Sequence, residues 1–184
     1  YRENSFVFCG NKFNGQYDWL PNVKSGYDAK ILKAILSKIE RKRGEVGNRL
    51  APFFIILDDI MGDITTLNDK YKELARLFTG YRHFNLSIFV CVQYAKGSVC
   101  APKVREQVRY VFSWGKTGQL GEKNLYESYG YPFFNGLSEM SDAQKMLIKD
   151  DEEGKKNYRC MMIDMHGDNA RTAVRRFVAG KLDE

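Results

Sequence analysis

The clearest indication of the fold is the segment Phe53-Phe54-Ile55-Ile56-Leu57-Asp58-Asp59. Its five consecutive aromatic and aliphatic residues are typical of a strand that is buried on both faces of a parallel sheet. Two carboxylates follow directly. Because ligands of open α/β sheets bind at the carboxyl ends of the strands, the stretch predicts a buried parallel strand that presents Asp58 and Asp59 to a ligand.

This arrangement matches the Walker B pattern of P-loop ATPases, in which an apolar strand ends in carboxylates. In that pattern the first carboxylate, here Asp58, holds Mg²⁺, usually through the water shell of the ion. The second carboxylate, here Asp59, polarises the attacking water. An apolar strand followed by two acids in a turn is also common without any chemistry, so a purely structural turn is the alternative.

A second apolar run, residues 86–92, ends at Gln93, which lies 34 residues after Asp59. Residues 65–79 lie between the two runs and show apolar positions at helical spacing, which predicts one crossover helix. The two strands are then neighbours, and Gln93 lies at the same sheet edge as Asp58 and Asp59. A glutamine at that edge can sense the γ-phosphate and orient the water.

Strands and helices alternate on both sides of this unit. A strand is expected at Ser5–Cys9, and a helix over 28–43 with Asp28 as its N-cap and Gly44 as its end. The further expected elements are a short helix from Pro102, strands at 109–114, 158–165 and 172–178, and helices at 120–129 and 137–148. The alternation predicts a single α/β domain over 1–184, with a mostly parallel sheet, helices on both of its faces and a C-terminal β-hairpin.

Composition argues against an intrinsically disordered protein and against a membrane-spanning one. The chain has 184 residues, of which 43% are hydrophobic, so it is not intrinsically disordered. Its apolar runs are far shorter than the roughly 20 residues of a membrane span, and no transmembrane helix is expected. The formal net charge of +6 fits either simple solubility or a polyanionic partner.

The four cysteines show no C-x-x-C spacing, and the chain has only two histidines, so a zinc cluster is not expected. Cys9, Cys91 and Cys160 each lie within an apolar run predicted to be a strand. Buried, reduced thiols are therefore expected, as in cytosolic proteins.

Several segments resemble the genome-packaging ATPases of nucleocytoplasmic large DNA viruses, which belong to the FtsK/HerA superfamily. The segments that carry the resemblance are 53–59, Gly80-Tyr81-Arg82-His83-Phe84-Asn85-Leu86-Ser87-Ile88, Gln93, Pro102-Lys103-Val104-Arg105, the opening strand and Gln16-Tyr17-Asp18-Trp19-Leu20-Pro21. The resemblance implies a RecA-like P-loop fold, ATP and Mg²⁺ as cofactors, and ATP-driven translocation of double-stranded DNA into a capsid. It also implies a homo-oligomeric ring, capsid components as partners, and a location in the host cytoplasm (the virus factory) and in the virion.

The resemblance also implies roles for single residues: Asp58 for the metal, and Asp59 and Gln93 for catalysis. Arg82 and Arg105 are implied as cations that one subunit donates to the γ-phosphate of its neighbour, with Arg82 near the rim of the nucleotide edge. The alternatives are a packing or ion-pair role for Arg82 and an ordinary surface charge for Arg105. Many relatives in the superfamily have Glu at the position of Asp59.

Basic residues near the C-terminus are candidates for contacts with DNA. They are Lys155, Lys156, Arg171, Arg175 and Arg176. The favoured interpretation is that they form the solvated face of the terminal hairpin.

The phosphate-binding Walker A loop of this family is the large departure. The segment from Gly10 to Gly15 has its two glycines at the right spacing, but Gln16 and Tyr17 stand where Lys and Ser or Thr are needed. Gly115-Lys116-Thr117 has the tail of the motif but follows the Walker B strand. The expectation is a fragment truncated before Tyr1 that by itself binds ATP poorly and does not hydrolyse it; a degenerate ATPase is the alternative.

Two other functions remain open on the sequence. One is a HerA-like translocase of DNA repair or conjugation, which would use the same chemistry. The other is a non-enzymatic α/β binding module, in which Asp58 and Asp59 only bind a cation or cap a helix.

Overall fold

The computed structural model describes residues 2–10, 15–60, 69–95, 101–114, 118–148 and 159–178. The chain divides into two compact units, residues 1–107 and 108–184. We call them the parallel unit and the antiparallel unit, after their sheets.

The sheet of the parallel unit has four strands in the order β2-β1-β3-β4, and all of its pairs are parallel. The strands and helices of this unit are β1 (Ser5–Cys9), β2 (Val23–Ser25), α1 (Ala29–Val46), β3 (Phe53–Asp58), α2 (Asp69–Gly80), β4 (Leu86–Cys91) and α3 (Pro102–Arg105). Single 3₁₀ turns lie at Arg2–Asn4, Gly47–Arg49 and Tyr81–Phe84. The parallel sheet flanked by helices confirms the predicted α/β class.

Helix α1 begins where the sequence predicts and ends later. The Asp28 side chain accepts hydrogen bonds from the backbone N–H groups of Lys30 and Ile31, which confirms it as the N-cap. The predicted end at Gly44 is wrong, because a glycine inside a helix costs only about 1 kcal/mol and the helix continues to Val46. The helix ends at Gly47, whose φ of 59° suits glycine.

The main core lies on one face of the parallel sheet. It contains the apolar stripe of α1, inward residues of β3 and the buried side of α2: Leu32, Ile35, Leu36, Ile39, Phe53, Ile55, Leu57, Leu74, Leu77 and Phe78. Strands β1, β3 and β4 are neighbours in the sheet in the same order as in the chain. Because both crossovers step in the same direction and crossovers are right-handed, α1 and α2 lie on the same face. The sequence predicts helices on both faces of the sheet. On the face opposite α1 and α2, within the part of this unit that the structure describes, Leu20 and Tyr17 pack against Val7 and Cys9.

The antiparallel unit contains a three-stranded sheet in the order β5-β6-β7. Its strands and helices are β5 (Tyr110–Ser113), α4 (Gly118–Leu125), a π-helical turn (Tyr126–Gly130), α5 (Leu137–Ile148), β6 (Arg159–Asp164), α6 (Ala170–Ala173) and β7 (Val174–Val178). The antiparallel pairing of β6 with β7 confirms the predicted C-terminal hairpin.

The strand predicted at 109–114 is present as β5, and it pairs antiparallel with β6. The physical reason is its alternation: Tyr110 and Phe112 are exposed whereas Ser113 is buried, a one-sided pattern typical of antiparallel sheets. On the buried side, helix α5 packs on β6, and the Gln144 amide donates a 2.6 Å hydrogen bond to the Ser113 hydroxyl.

Some predicted features lie outside the described residues. These are the first residues of the crossover helix (65–68), most of the segment from Gly10 to Gly15, the Gly115-Lys116-Thr117 segment, and Lys155 and Lys156. Among the helices that the structure does describe, none is long and apolar enough to span a membrane.

Candidate functional site

The carboxyl ends of β1, β3 and β4 lie side by side. Asp58, the last residue of β3, is in register with Cys9 of β1 and with Cys91 of β4. All three strands run in the same direction, so the residues that follow them, Gly10 and Asp59 among them, gather at one edge of the sheet. We call this region the carboxylate edge.

Asp58 is held by a tyrosine from the turn after β1. The Tyr17 hydroxyl donates a 3.0 Å hydrogen bond to Oδ2 of Asp58. Burial of the phenol, together with the hydrogen bond and charge of Asp58, raises the pKa of Tyr17 above its usual range. Tyr17 therefore keeps its proton and acts as a fixed donor that orients the carboxylate.

Cys91 provides a second contact to the same carboxylate. Desolvation of the thiol and the neighbouring Asp58 charge raise the pKa of Cys91 to about 11, and the thiol hydrogen-bonds to Asp58. The residue is exposed, so the prediction that it is buried is wrong: β4 lies at one side of the described sheet. Cys9 and Cys160 are buried as predicted.

Asp59 and Gln93 meet at the carboxylate edge. The Gln93 side chain donates from Nε2 to Oδ1 of Asp59 at 3.3 Å, and both residues are exposed. The backbone of Asp59 has φ of 52°, in the left-handed region, which turns the chain sharply after β3. The sequence predicted that these two side chains share an edge, and the structure brings them into contact.

Gly10 allows the backbones of β1 and β3 to approach closely at this edge. Its N–H donates to the carbonyl oxygen of Asp58 at 2.9 Å. A Cβ at this position would lie 2.3 Å from the carbonyl oxygen of Asp59, closer than any real Cβ contact, so only glycine fits without a shift of the backbone. The glycine therefore helps to define where the two carboxylates stand.

The carboxylate edge has the donor set that Mg²⁺ prefers. Mg²⁺ is bound in proteins through one or two carboxylates, with water and substrate phosphates completing its octahedron. A carboxylate has about four lone-pair sites, so Asp58 keeps acceptor capacity beside its bonds to Tyr17 and Cys91. Over the described ranges, no cluster of three or more His, Cys, Asp or Glu forms a closed metal site. An ion at Asp58 would thus need oxygens from a ligand as well.

Arg82 lies away from this edge. Its backbone is in the 3₁₀ turn Tyr81–Phe84, which precedes β4, whereas Gln93 follows β4. Strand β4 has six residues at about 3.3 Å each, so the two ends are about 20 Å apart. The expected position of Arg82 at the rim of the nucleotide edge is therefore wrong within one subunit, because a turn before a parallel strand lies at its amino end.

The other predicted basic residues remain predictions. Arg105 ends the short helix α3, which is anchored in the core by the buried Val104. Arg171, Arg175 and Arg176 are exposed in the antiparallel unit.

Sequence reasoning missed three contributors to the carboxylate edge. Tyr17 lies in a turn, where no periodicity marks a side chain that reaches a distant strand. Gly10 was weighed as a glycine of a Walker A loop, although a glycine directly after a buried strand also signals a close backbone approach. Cys91 was assigned to a buried run, and its contact with Asp58 follows only from the strand register.

Comparisons with known proteins give one finding on the fold. No family model matches the chain, and no curated protein matches its sequence. The structure is similar to that of the genome packaging NTPase B204 from Sulfolobus turreted icosahedral virus 2 in complex with ATP-gammaS, with a TM-score of 0.51 and 10% sequence identity over 95% of this chain and 97% of that chain. The chain therefore has the fold of a viral genome packaging NTPase.

Proposed function

We propose that this chain is the motor part of a viral genome-packaging ATPase of the FtsK/HerA type. The observation that carries the proposal is the contact between Gln93 and Asp59 beside Asp58, at the carboxyl end of a parallel sheet. The fold shared with a viral packaging NTPase in complex with an ATP analogue supports it.

Each side chain has a distinct role on this proposal. Asp58, oriented by Tyr17, would hold Mg²⁺, which when bound neutralises charge on the β- and γ-phosphates. Asp59 would accept a hydrogen bond from the attacking water and so polarise it. Gln93, fixed by its amide on Asp59, would use its carbonyl oxygen to orient the same water. Arg82 and Arg105 would act across subunit boundaries.

The proposal includes partners and a location. The substrate polymer is double-stranded DNA, contacted through its phosphates without sequence preference. The subunits would form a homo-oligomeric ring that works with capsid components, in the host cytoplasm and in the virion.

Replacement of Asp59 by Asn tests the chemistry. In the protein expressed from its complete reading frame, Asp59→Asn should lower ATP turnover by about 10³-fold or more, with little change in the affinity for ATP-γS. Asp18→Asn, an exposed acid of the same unit, is the matched control and should hydrolyse ATP like the wild type. Phosphate release and nucleotide titration measure the two quantities. Wild-type turnover in Asp59→Asn would remove this residue from the reaction.

Replacement of Asp58 by Asn tests the metal. This variant should need a higher Mg²⁺ concentration for half-maximal activity, because a neutral amide binds the ion or its water shell less well. An unchanged Mg²⁺ dependence, with turnover retained, would mean that Asp58 does not hold the ion. If neither wild-type turnover nor nucleotide binding is found, the binding-module alternative is favoured.

A further inference from the structure

One face of the antiparallel sheet exposes a group of aromatic rings. Tyr110 is 44% exposed, Phe112 37%, Trp114 56% and Phe177 41%. We call these four residues the aromatic face. Four large rings left in solvent on one short sheet are unusual for a folded unit and indicate a binding surface.

The rings lie together on one side of the sheet. Phe112 is in register with Met162, and Phe177 with Cys160, and the rings of Phe112 and Phe177 meet edge to face at 5.1 Å between centroids. Trp114 directly follows the last residue of β5, two residues after Phe112, and is exposed. On the opposite face, α5 packs against β6 and, to a smaller extent, against β7.

Arginines accompany the rings. The Arg109 guanidinium lies over the Tyr110 ring at 5.1 Å from its centroid, and Arg175 is in register with Met162 beside Phe112. No carboxylate of the described ranges forms an ion pair with Arg109, Arg175 or Arg176. Asp164, in register with Tyr110, is an acid on this face and accepts the N–H of His166. Cations outnumber acids here, which suits a polyanion.

We propose that the aromatic face binds single-stranded nucleic acid by stacking unpaired bases on Phe112, Trp114 and Phe177. The arginines would contact the phosphates between the bases. A duplex hides the faces of its bases inside the stack, so exposed rings can stack on them only in an unpaired strand. A two-fold contact between copies of this face would instead bring its arginines together, which like-charge repulsion disfavours.

This inference goes beyond the proposed ATPase activity and does not depend on it. The site uses no residue of the carboxylate edge, and its assay contains no nucleoside triphosphate. Failure of one proposal therefore leaves the other standing.

The test is binding of a fluorescein-labelled oligothymidylate of about 16 nucleotides, followed by anisotropy, against a hairpin duplex of equal charge. Trp114→Ala and Phe177→Leu should each weaken binding of the single strand by about 5- to 150-fold. Phe177→Leu keeps an apolar side chain in place and so protects the fold. Tyr131→Ala, which removes a 65%-exposed ring outside the sheet, is the control and should bind like the wild type.

Two further measurements separate stacking from charge. In a Trp19→Phe background Trp114 is the remaining tryptophan, and its emission should be quenched by the single strand. Arg175→Gln should lower the slope of log affinity against log salt concentration by about 0.7. The proposal is overturned if the wild type does not bind the single strand, if the aromatic variants bind it like the wild type, or if those variants weaken binding of the duplex to the same extent. It is also overturned if sedimentation shows that the wild type self-associates and Trp114→Ala does not.

Discussion

The two sheets of this molecule display their polar and aromatic residues in different places. Strands β1 and β3 of the parallel unit are mostly apolar, and the polar side chains of Asp59 and Gln93 lie just after the ends of β3 and β4. Strand β5 of the antiparallel unit alternates, so Phe112 is exposed while its neighbour Ser113 is buried. The parallel sheet thus brings a few groups together at the carboxyl ends of its strands. The antiparallel sheet instead exposes several side chains across one of its faces.

The difference indicates what each unit suits. An edge where backbone approach and hydrogen bonds fix a few atoms suits catalysis, which requires positions held to within about 0.5 Å. A face with several rings suits an extended, repetitive ligand, which needs area more than exact placement. Substitutions in the two regions should therefore change different measured quantities.

Arg82 is the strongest challenge to this comparison, because it lies at the amino end of β4 and not at the carboxylate edge. If it acts in trans in a ring, Arg82→Ala should lower ATP turnover by about 10³- to 10⁵-fold while the protein still folds and binds ATP. Mixed rings of Arg82→Ala and Asp59→Asn subunits should regain some turnover, since some interfaces then pair two intact residues.

The control for this experiment is Arg76→Ala, which removes an exposed arginine paired with Glu40 and should leave turnover unchanged. If the mixed rings stay inactive although the wild type assembles and hydrolyses ATP, the chemistry is confined to the carboxylate edge. If Arg82→Ala unfolds, Arg82 has a structural role and the role in trans is lost.

Gly10 tests whether backbone approach positions the carboxylates. Gly10→Ala should reduce turnover by about 10²-fold, because its Cβ would push the carbonyl of Asp59 by about 1 Å. Gly44→Ala is the matched control: nothing lies within 4 Å of its Cβ, and alanine should stabilise α1 by about 1 kcal/mol. Steady-state kinetics and urea unfolding measure the two effects. Equal behaviour of the two variants would mean that the edge tolerates displacement.

Tyr17 tests the orientation of Asp58, the proposed metal ligand. Tyr17→Phe removes the hydroxyl that donates to Asp58, and the Mg²⁺ concentration for half-maximal turnover should rise by about 10-fold. Tyr131→Phe removes an exposed hydroxyl from the other unit and serves as the comparison. A Tyr17→Phe enzyme with unchanged Mg²⁺ dependence would show that the strand alone positions Asp58.

Ser113 provides the smallest expected effect on turnover. Ser113→Ala removes the hydrogen-bond acceptor of Gln144, a buried residue, and should lower the free energy of unfolding by about 1–3 kcal/mol. Turnover of the folded protein should stay within about twofold of the wild type. Ser87→Ala, at an exposed position of β4, should change neither quantity. A large loss of turnover in Ser113→Ala would contradict the separation of roles between the two sheets.

The sequence predicted the carboxylate edge because strand direction and chain length carry the information. An apolar run followed by Asp58 and Asp59 defines a carboxyl end, and 34 residues to Gln93 leave room for one crossover helix. The contact between Gln93 and Asp59 follows from the pairing of neighbouring parallel strands.

The contact of Tyr17 and the position of Arg82 depend on tertiary geometry, which no local sequence pattern indicates. The turn from which Tyr17 reaches Asp58 is set by the burial of Leu20 against the sheet, a tertiary contact. The position of Arg82 was mistaken for a different reason. The prediction rests on its place between the crossover helix and the strand that leads to Gln93, but a residue that precedes a parallel strand lies at the amino end of the sheet.

The left-handed backbone at Asp59 restricts which amino acids evolution can place there. With φ of 52°, the position accepts glycine, asparagine and aspartate at low cost, and strains longer side chains such as glutamate. Of the three that fit, only aspartate carries a negative charge. Exchange of this acid for glutamate would therefore strain the backbone unless the end of β3 were remodelled at the same time.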